Sequence, residues 1–128
     1  MKRLLFCVLL ISCSASWAKW VYYSSSEDGT DFYYEDTSRR KNGATVKMWG
    51  MFSGMEGTLE GKIYRSFKEF TEYDCGNEVT KRLALTFYAD ELGAGEVIFT
   101  HTYAENKWDH ISPGSIGVSA WKLACGKK

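Results

Sequence analysis

Apolar and polar residues alternate through most of the chain beyond its first eighteen positions. Trp20 to Ser25 and Phe32 to Asp36 read as two strands. Between them Glu27-Asp28-Gly29-Thr30 supplies the Asp-Gly pair that tight hairpins favour. Ser38 to Gly43 reads as a second turn, with Asn42-Gly43 suited to positive φ. Thr45 to Phe52 is a third strand. Gly54, Gly57 and Gly61 mark a looser connection, and Ile63 to Cys75 is a long fourth strand or a bulged pair. In the fifth, Val79, Lys81, Leu83, Leu85 and Phe87 share one face, and Thr80, Arg82, Ala84, Thr86 and Tyr88 the other. One side of such a strand meets a core and the other meets water. Gly93-Ala94-Gly95 turns the chain into a sixth strand, Glu96 to Tyr103, with Val97, Phe99 and Tyr103 in phase.

The period then changes from two to about 3.6. Ser112 suits an N-cap, Pro113 the first helical position, and Ile116, Ala120, Leu123 and Ala124 follow at helical spacing before Gly126. The expectation is an α+β domain: an antiparallel meander of about six strands with one C-terminal helix packed on a face.

Residues 1–18 have a different character. Met1-Lys2-Arg3 is a short positive segment, Leu4 to Ile11 is apolar, and Ser16-Trp17-Ala18 offers small residues where a signal peptidase reads them. The apolar run is shorter than the roughly 20 residues a membrane span needs. The segment therefore predicts an export signal at 1–18 and a single domain at 19–128, delivered to the periplasm, the outer membrane or cell surface, or the medium. A second reading stays open. Leu10-Ile11-Ser12-Cys13 resembles a lipobox, in which Cys13 is lipidated and ties the domain to the outer membrane.

Without Lys2 and Arg3 the chain has 14 basic and 16 acidic residues, so a nonspecific nucleic-acid binder is excluded on charge. Aromatics at 16% are enough to fill a core. Of four cysteines, Cys7 and Cys13 lie in the export segment, leaving Cys75 and Cys125. An even pair in an oxidising compartment reads as one disulfide, tying the helix to the end of strand four.

Catalytic chemistry is poorly represented. Asp109 and His110 are adjacent and so point to opposite faces of a strand, which is wrong for a triad. No nucleophile elbow, zinc helix or phosphate loop appears. His101 and His110 could contribute to a metal or haem site, particularly at a dimer interface, but lone histidines are more often surface residues; no metal and no cofactor is expected. The carboxylates Glu27, Asp28, Asp31, Glu35 and Asp36 lack the ligand order of a calcium loop and read as a solvated turn. Arg39-Arg40-Lys41 reads either as a solvated basic turn or as a contact for an acidic partner or sulfated glycan. The Met-rich segment Met48 to Met55 reads as packing beneath the helix.

Several blocks in order resemble the bacterial surface-adhesin protein E family. They are Trp20-Val21 with Ser24 to Thr30 and Phe32 to Asp36; Arg39 to Gly43 with Val46 to Trp49; Glu72-Tyr73-Asp74-Cys75; the Tyr88 to Gly95 hairpin; and Trp108 to Ser115 closing at Cys125. Met51 to Met55 departs from the pattern. The resemblance implies a six-stranded antiparallel sheet with a disulfide-held C-terminal helix. It also implies an exported protein that binds host matrix proteins of the vitronectin and laminin kind. A monomer or weak dimer is expected. Two functions are therefore carried forward. In a matrix-binding adhesin, exposed aromatics and the turn Arg39, Arg40 and Lys41 make the contact. In a secreted inhibitor of a basic host hydrolase such as lysozyme, Glu27, Asp28 and Asp31 do so instead.

Overall fold

The computed structural model describes residues 19–104 and 106–127; the export segment and Cys13 lie outside them. Eight strands form one antiparallel sheet: β1 (Trp20–Ser25), β2 (Asp31–Glu35), β3 (Arg40–Asn42), β4 (Thr45–Leu59), β5 (Lys62–Asp74), β6 (Val79–Tyr88), β7 (Val97–Thr102) and β8 (Asp109–His110). The helix α1 (Ile116–Cys125) closes the chain. The main path is β1-β2-β4-β5-β6-β7, with β3 beside β4 and β8 beside β6. Because β2 and β3 pair with successive stretches of β4, and β7 and β8 with successive stretches of β6, the eight strands occupy six sheet positions. This is the meander that the alternation predicts.

Both faces of the sheet are partly covered, and β4 shows how. Val46 and Met48 lie on one face under α1, with Tyr73, Trp121 and Ala124 completing that core. Met51 and Ser53 are equally buried but belong to the opposite parity of the strand. They are covered by the short 3-10 turn Glu91–Gly93, which donates Leu92 N–H to Ser53 Oγ at 2.9 Å and Gly93 N–H to Ser66 Oγ at 2.9 Å. The Met-rich segment thus serves two cores, one beneath the helix and one beneath the β6–β7 connection.

On the helix face, Trp121 is the anchor. Its indole is 7% exposed, and Nε1–H donates to the Asp74 carbonyl at 2.7 Å. Burial of such a side chain stabilises by roughly 2–3 kcal/mol. The Cys75–Cys125 disulfide pins the same helix to the end of β5. Gly126, at φ 66°, ends α1 in a Schellman arrangement, with Gly126 N–H on Leu123 O and Lys127 N–H on Lys122 O.

The structure corrects four expectations. Ser38 to Gly43 is not one turn: a 3-10 turn (Asp36–Ser38) leads into β3, and only Asn42 to Thr45 reverses the chain. Gly54 and Gly57 do not interrupt β4, which runs on to Leu59; the reversal is Glu60-Gly61, both at positive φ as a tight I′ hairpin requires. Gly54 instead marks a bulge, where a Cβ would lie 2.7 Å from the Gly29 carbonyl oxygen. The single phase read along β6 fails at Leu83, which is bulged between Arg82 and Ala84. Arg82 and Thr80 therefore share the helix face with Leu85 and Phe87. Finally, Ser115 rather than Ser112 precedes the helix, and Pro113-Gly114 forms a turn ahead of it. Ser112 instead accepts hydrogen bonds at its carbonyl from the Ser115 N–H and hydroxyl.

Candidate partner-binding surfaces

The basic segment is split by strand alternation. Arg40 lies directly across from Lys47, and Lys41 across from Val46 on the helix face. Arg39 reaches the end of α1, donating Nη1–H to Leu123 O at 3.1 Å, where the helix dipole favours a cation. Arg39, Lys41 and Lys127 rim a hollow beside the disulfide, and Arg40 donates to Thr37 O at 2.7 Å. Together with Lys122, these exposed cations crowd one end of the sheet, and none forms an ion pair among the described residues. Like charges directly opposite in a ladder cost stability, and the Arg40–Lys47 pair is offset by Glu72, which lies in register with Lys47 on its other side.

The acidic hairpin sits at the other end. Asp31 pairs with Ser53 while Asn42 pairs with Thr45, so roughly 25 Å of β4 separates the acidic turn from the basic end. Asp28 accepts hydrogen bonds from Ser26 Oγ and from Thr30 N–H, which hold its carboxyl below the usual range, the Ser26 bond contributing most. Asp31 accepts from Ser25 Oγ at 2.6 Å. Only Glu27 of the three is left facing solvent without such a partner among the described residues. The structure does not bring the acidic and basic residues together.

A third surface was not singled out by the sequence. A groove of about 540 Å³ runs along the helix face between α1 and an aromatic ladder. The ladder crosses every strand position: Tyr23, Phe32, Phe52, Phe67, Phe87 and Phe99, with neighbouring ring centroids 4.5–6.4 Å apart. Gly50, which has no side chain, leaves room in the floor beside Glu69. Glu69 is 15% exposed, and Arg82 Nη2 lies 3.1 Å from its Oε2. Burial pushes the Glu69 carboxyl up, and the Arg82 guanidinium offsets part of that shift. Tyr23 and Tyr73 line the same groove with hydroxyls raised, again mainly by burial and then by the nearby Glu69 charge. One signal for this site was present: Glu69 is in phase with Phe67, Thr71 and Tyr73 on a buried face.

The histidines remain apart. His101 stacks on Phe99 and meets Tyr103 edge-on, on the helix face. His110 pairs with Val79 on the opposite face, while Asp109 pairs with Thr80 and lines the groove. Among the described residues no group of three or more His, Cys, Asp or Glu side chains converges as a metal site would require. Nor is any helix among them long and apolar enough to cross a membrane.

The sequence model of the surface-adhesin protein E family matches residues 20–126, nearly the whole described chain. The chain belongs to this family. Its fold is similar to two crystal structures of Haemophilus influenzae protein E. Crystal form II gives a TM-score of 0.57 at 14% identity, covering 83% of this chain and 96% of that one. The selenomethionine form gives 0.55 at 15% identity, covering 83% and 92%. At such identity the likeness is one of fold. No curated protein matches the sequence. As a member of a surface-adhesin family, the chain is of an exported or cell-surface kind.

Proposed function

We propose that this member of the family is a noncatalytic adhesin that binds an extracellular host matrix protein of the vitronectin or laminin kind through the cationic end of its sheet. The observation that carries the reading is the placement of Arg39, Arg40 and Lys41, exposed at one end of the sheet and in no ion pair among the described residues, with Arg40 opposite another cation, Lys47. An acidic segment of a partner docking there would supply the opposite charge that Arg40 lacks in the ladder. Arginine also suits an interface hot spot, since its planar guanidinium fork loses less freedom per hydrogen bond formed. Asp28 and Asp31 accept hydrogen bonds inside their own hairpin, as Arg39 and Arg40 donate to main-chain carbonyls, so the binding experiment and not the hydrogen bonding separates the two surfaces.

Solid-phase binding of the domain to immobilised matrix proteins tests this reading. Saturable binding that weakens with salt, and falls at least about tenfold when Arg39, Arg40 and Lys41 are replaced by Gln, is expected. Binding unchanged by that triple replacement would refute the assigned surface. Inhibition of lysozyme by the domain, lost on Glu27→Gln, would favour the alternative.

A further inference from the structure

Glu35 is a buried carboxylate with neutral donors around it. The residue is 6% exposed, and its Oε1 accepts from Lys19 N–H at 2.9 Å, Thr37 N–H at 3.2 Å and Thr37 Oγ1 at 2.6 Å. No lysine, arginine or histidine side chain forms an ion pair with it among the described residues. Charged groups near this corner include the Lys19 side chain, Asp36, Lys68, whose ammonium lies 5.3 Å from the ring centroid of Trp20, and Arg40, whose guanidinium is turned to the Thr37 carbonyl. Buried charges are normally paired. Lys19 is also held from its other side, its carbonyl accepting Asp36 N–H at 3.2 Å. The main-chain nitrogen of Lys19 is thus fixed on a carboxylate that lacks a cation.

That nitrogen belongs to the peptide bond after Ser16-Trp17-Ala18, where the sequence places a signal-peptidase cut. We propose that hydrolysis of the Ala18–Lys19 bond frees the Lys19 α-ammonium as the counter-ion of Glu35, so that export processing locks the start of β1 to the end of β2. The step is balanced by one water: its hydroxyl goes to the Ala18 carbonyl carbon, its hydrogen goes to the Lys19 nitrogen, and the amine takes up a proton from solvent. A neutral amide–carboxylate hydrogen bond becomes a charge-assisted ion pair at the same position, the stronger kind of contact. Hydrogen bonds already hold Glu35 below the usual carboxylate range against the opposing effect of burial, so it is ionised and ready for that partner. Lipidation at Cys13 would leave the Lys19 nitrogen as an amide and this pair unformed.

The test has two parts. Intact mass and N-terminal sequencing of the protein from its own cell envelope should give a free Lys19 as the first residue. A chain beginning at diacylated Cys13, or at any other residue, would overturn the proposal. In the chain that begins at Lys19, the α-amino group should titrate about one pH unit above its ordinary range of roughly 7.7–8.0. An ordinary value would also overturn it. Glu35→Gln should lower Tm by several degrees more in that chain than in one retaining Ala18; equal losses in both would show a role for Glu35 that is independent of the terminus. Should Glu35→Gln fail to fold, the α-amino titration of the unsubstituted chain still decides.

Discussion

Replacing Arg82 with alanine isolates the energetics of the groove. Arg82 is the cation beside Glu69, and Glu69 is 15% exposed while the guanidinium is about half exposed, at 49%. Breaking a fully buried pair costs about 3–5 kcal/mol because the surviving charge is left uncompensated. Solvent reaching Arg82 reduces this, and about 1–3 kcal/mol is the expected loss at pH 7. The pH dependence gives the sharper signature. The folded Glu69 carboxyl is raised above its unfolded value, mainly by burial. Its contribution is therefore most favourable at low pH, where both states are protonated, and is lost as pH rises from the unfolded value of about 4.3 through the folded one. Removing Arg82 raises the folded value further and widens that window. Thermal melts of wild type, Arg82→Ala, Glu69→Gln and the double variant at pH 4 and pH 7 form the assay. Arg82→Ala should lose less stability at pH 4 than at pH 7, and adding Glu69→Gln should restore most of the pH 7 loss. A penalty independent of pH, or a double variant no better than Arg82→Ala, would show that Glu69 is not a desolvated charge held by Arg82.

Three further outcomes follow from geometry. Replacing Cys75 and Cys125 together by serine opens a loop with a sequence separation of 50 and should cost about 4 kcal/mol, read as a Tm drop of roughly 15–30 °C; a shift under about 5 °C would contradict the assigned role of the bridge. Gly54→Ala places a Cβ 2.7 Å from the Gly29 carbonyl oxygen at φ 90° and should cost about 3 kcal/mol, whereas Gly43→Ala, at φ 63° in open space, should cost only about 1–2 kcal/mol; denaturant melts that rank them the other way would count against the bulge. Lys47→Glu exchanges the like-charge pair with Arg40 for one with Glu72 on the other side of β4, so the free domain's stability should change by less than about 0.5 kcal/mol while matrix-protein binding weakens; unchanged binding would count against the cationic end as the docking surface.

Much of the architecture was legible because period-two alternation and turn chemistry agree. The β6 boundaries, the Asp28-Gly29 hairpin, the Gly126 helix stop and the cysteine pair all follow from local rules. What local rules missed is the bulge. Leu83 continues an unbroken alternation in sequence, yet it is extruded from the ladder and moves Arg82 onto the face that carries Glu69. The groove was hidden for that reason, since its two charges look out of phase until the extra residue is counted. Gly54 misled in the opposite sense, because a glycine needed for close approach of the Gly29 turn looks like a chain break. Arg39, Arg40 and Lys41 were found as residues but not as a surface. Reading them as a turn concealed that β3 distributes them over two faces, and that the partner of Arg40 is another cation.

The most direct test of the adhesin reading compares adherence to surfaces coated with vitronectin or laminin by cells that make this protein and cells that lack it. Purified domain, wild type or with Arg39, Arg40 and Lys41 replaced by Gln, is added as competitor. The account predicts that cells lacking the protein adhere less, and that excess wild-type domain blocks the adherence of producing cells while the triple variant does not. Equal adherence with and without the protein would contradict it, as would equal blocking by both domains.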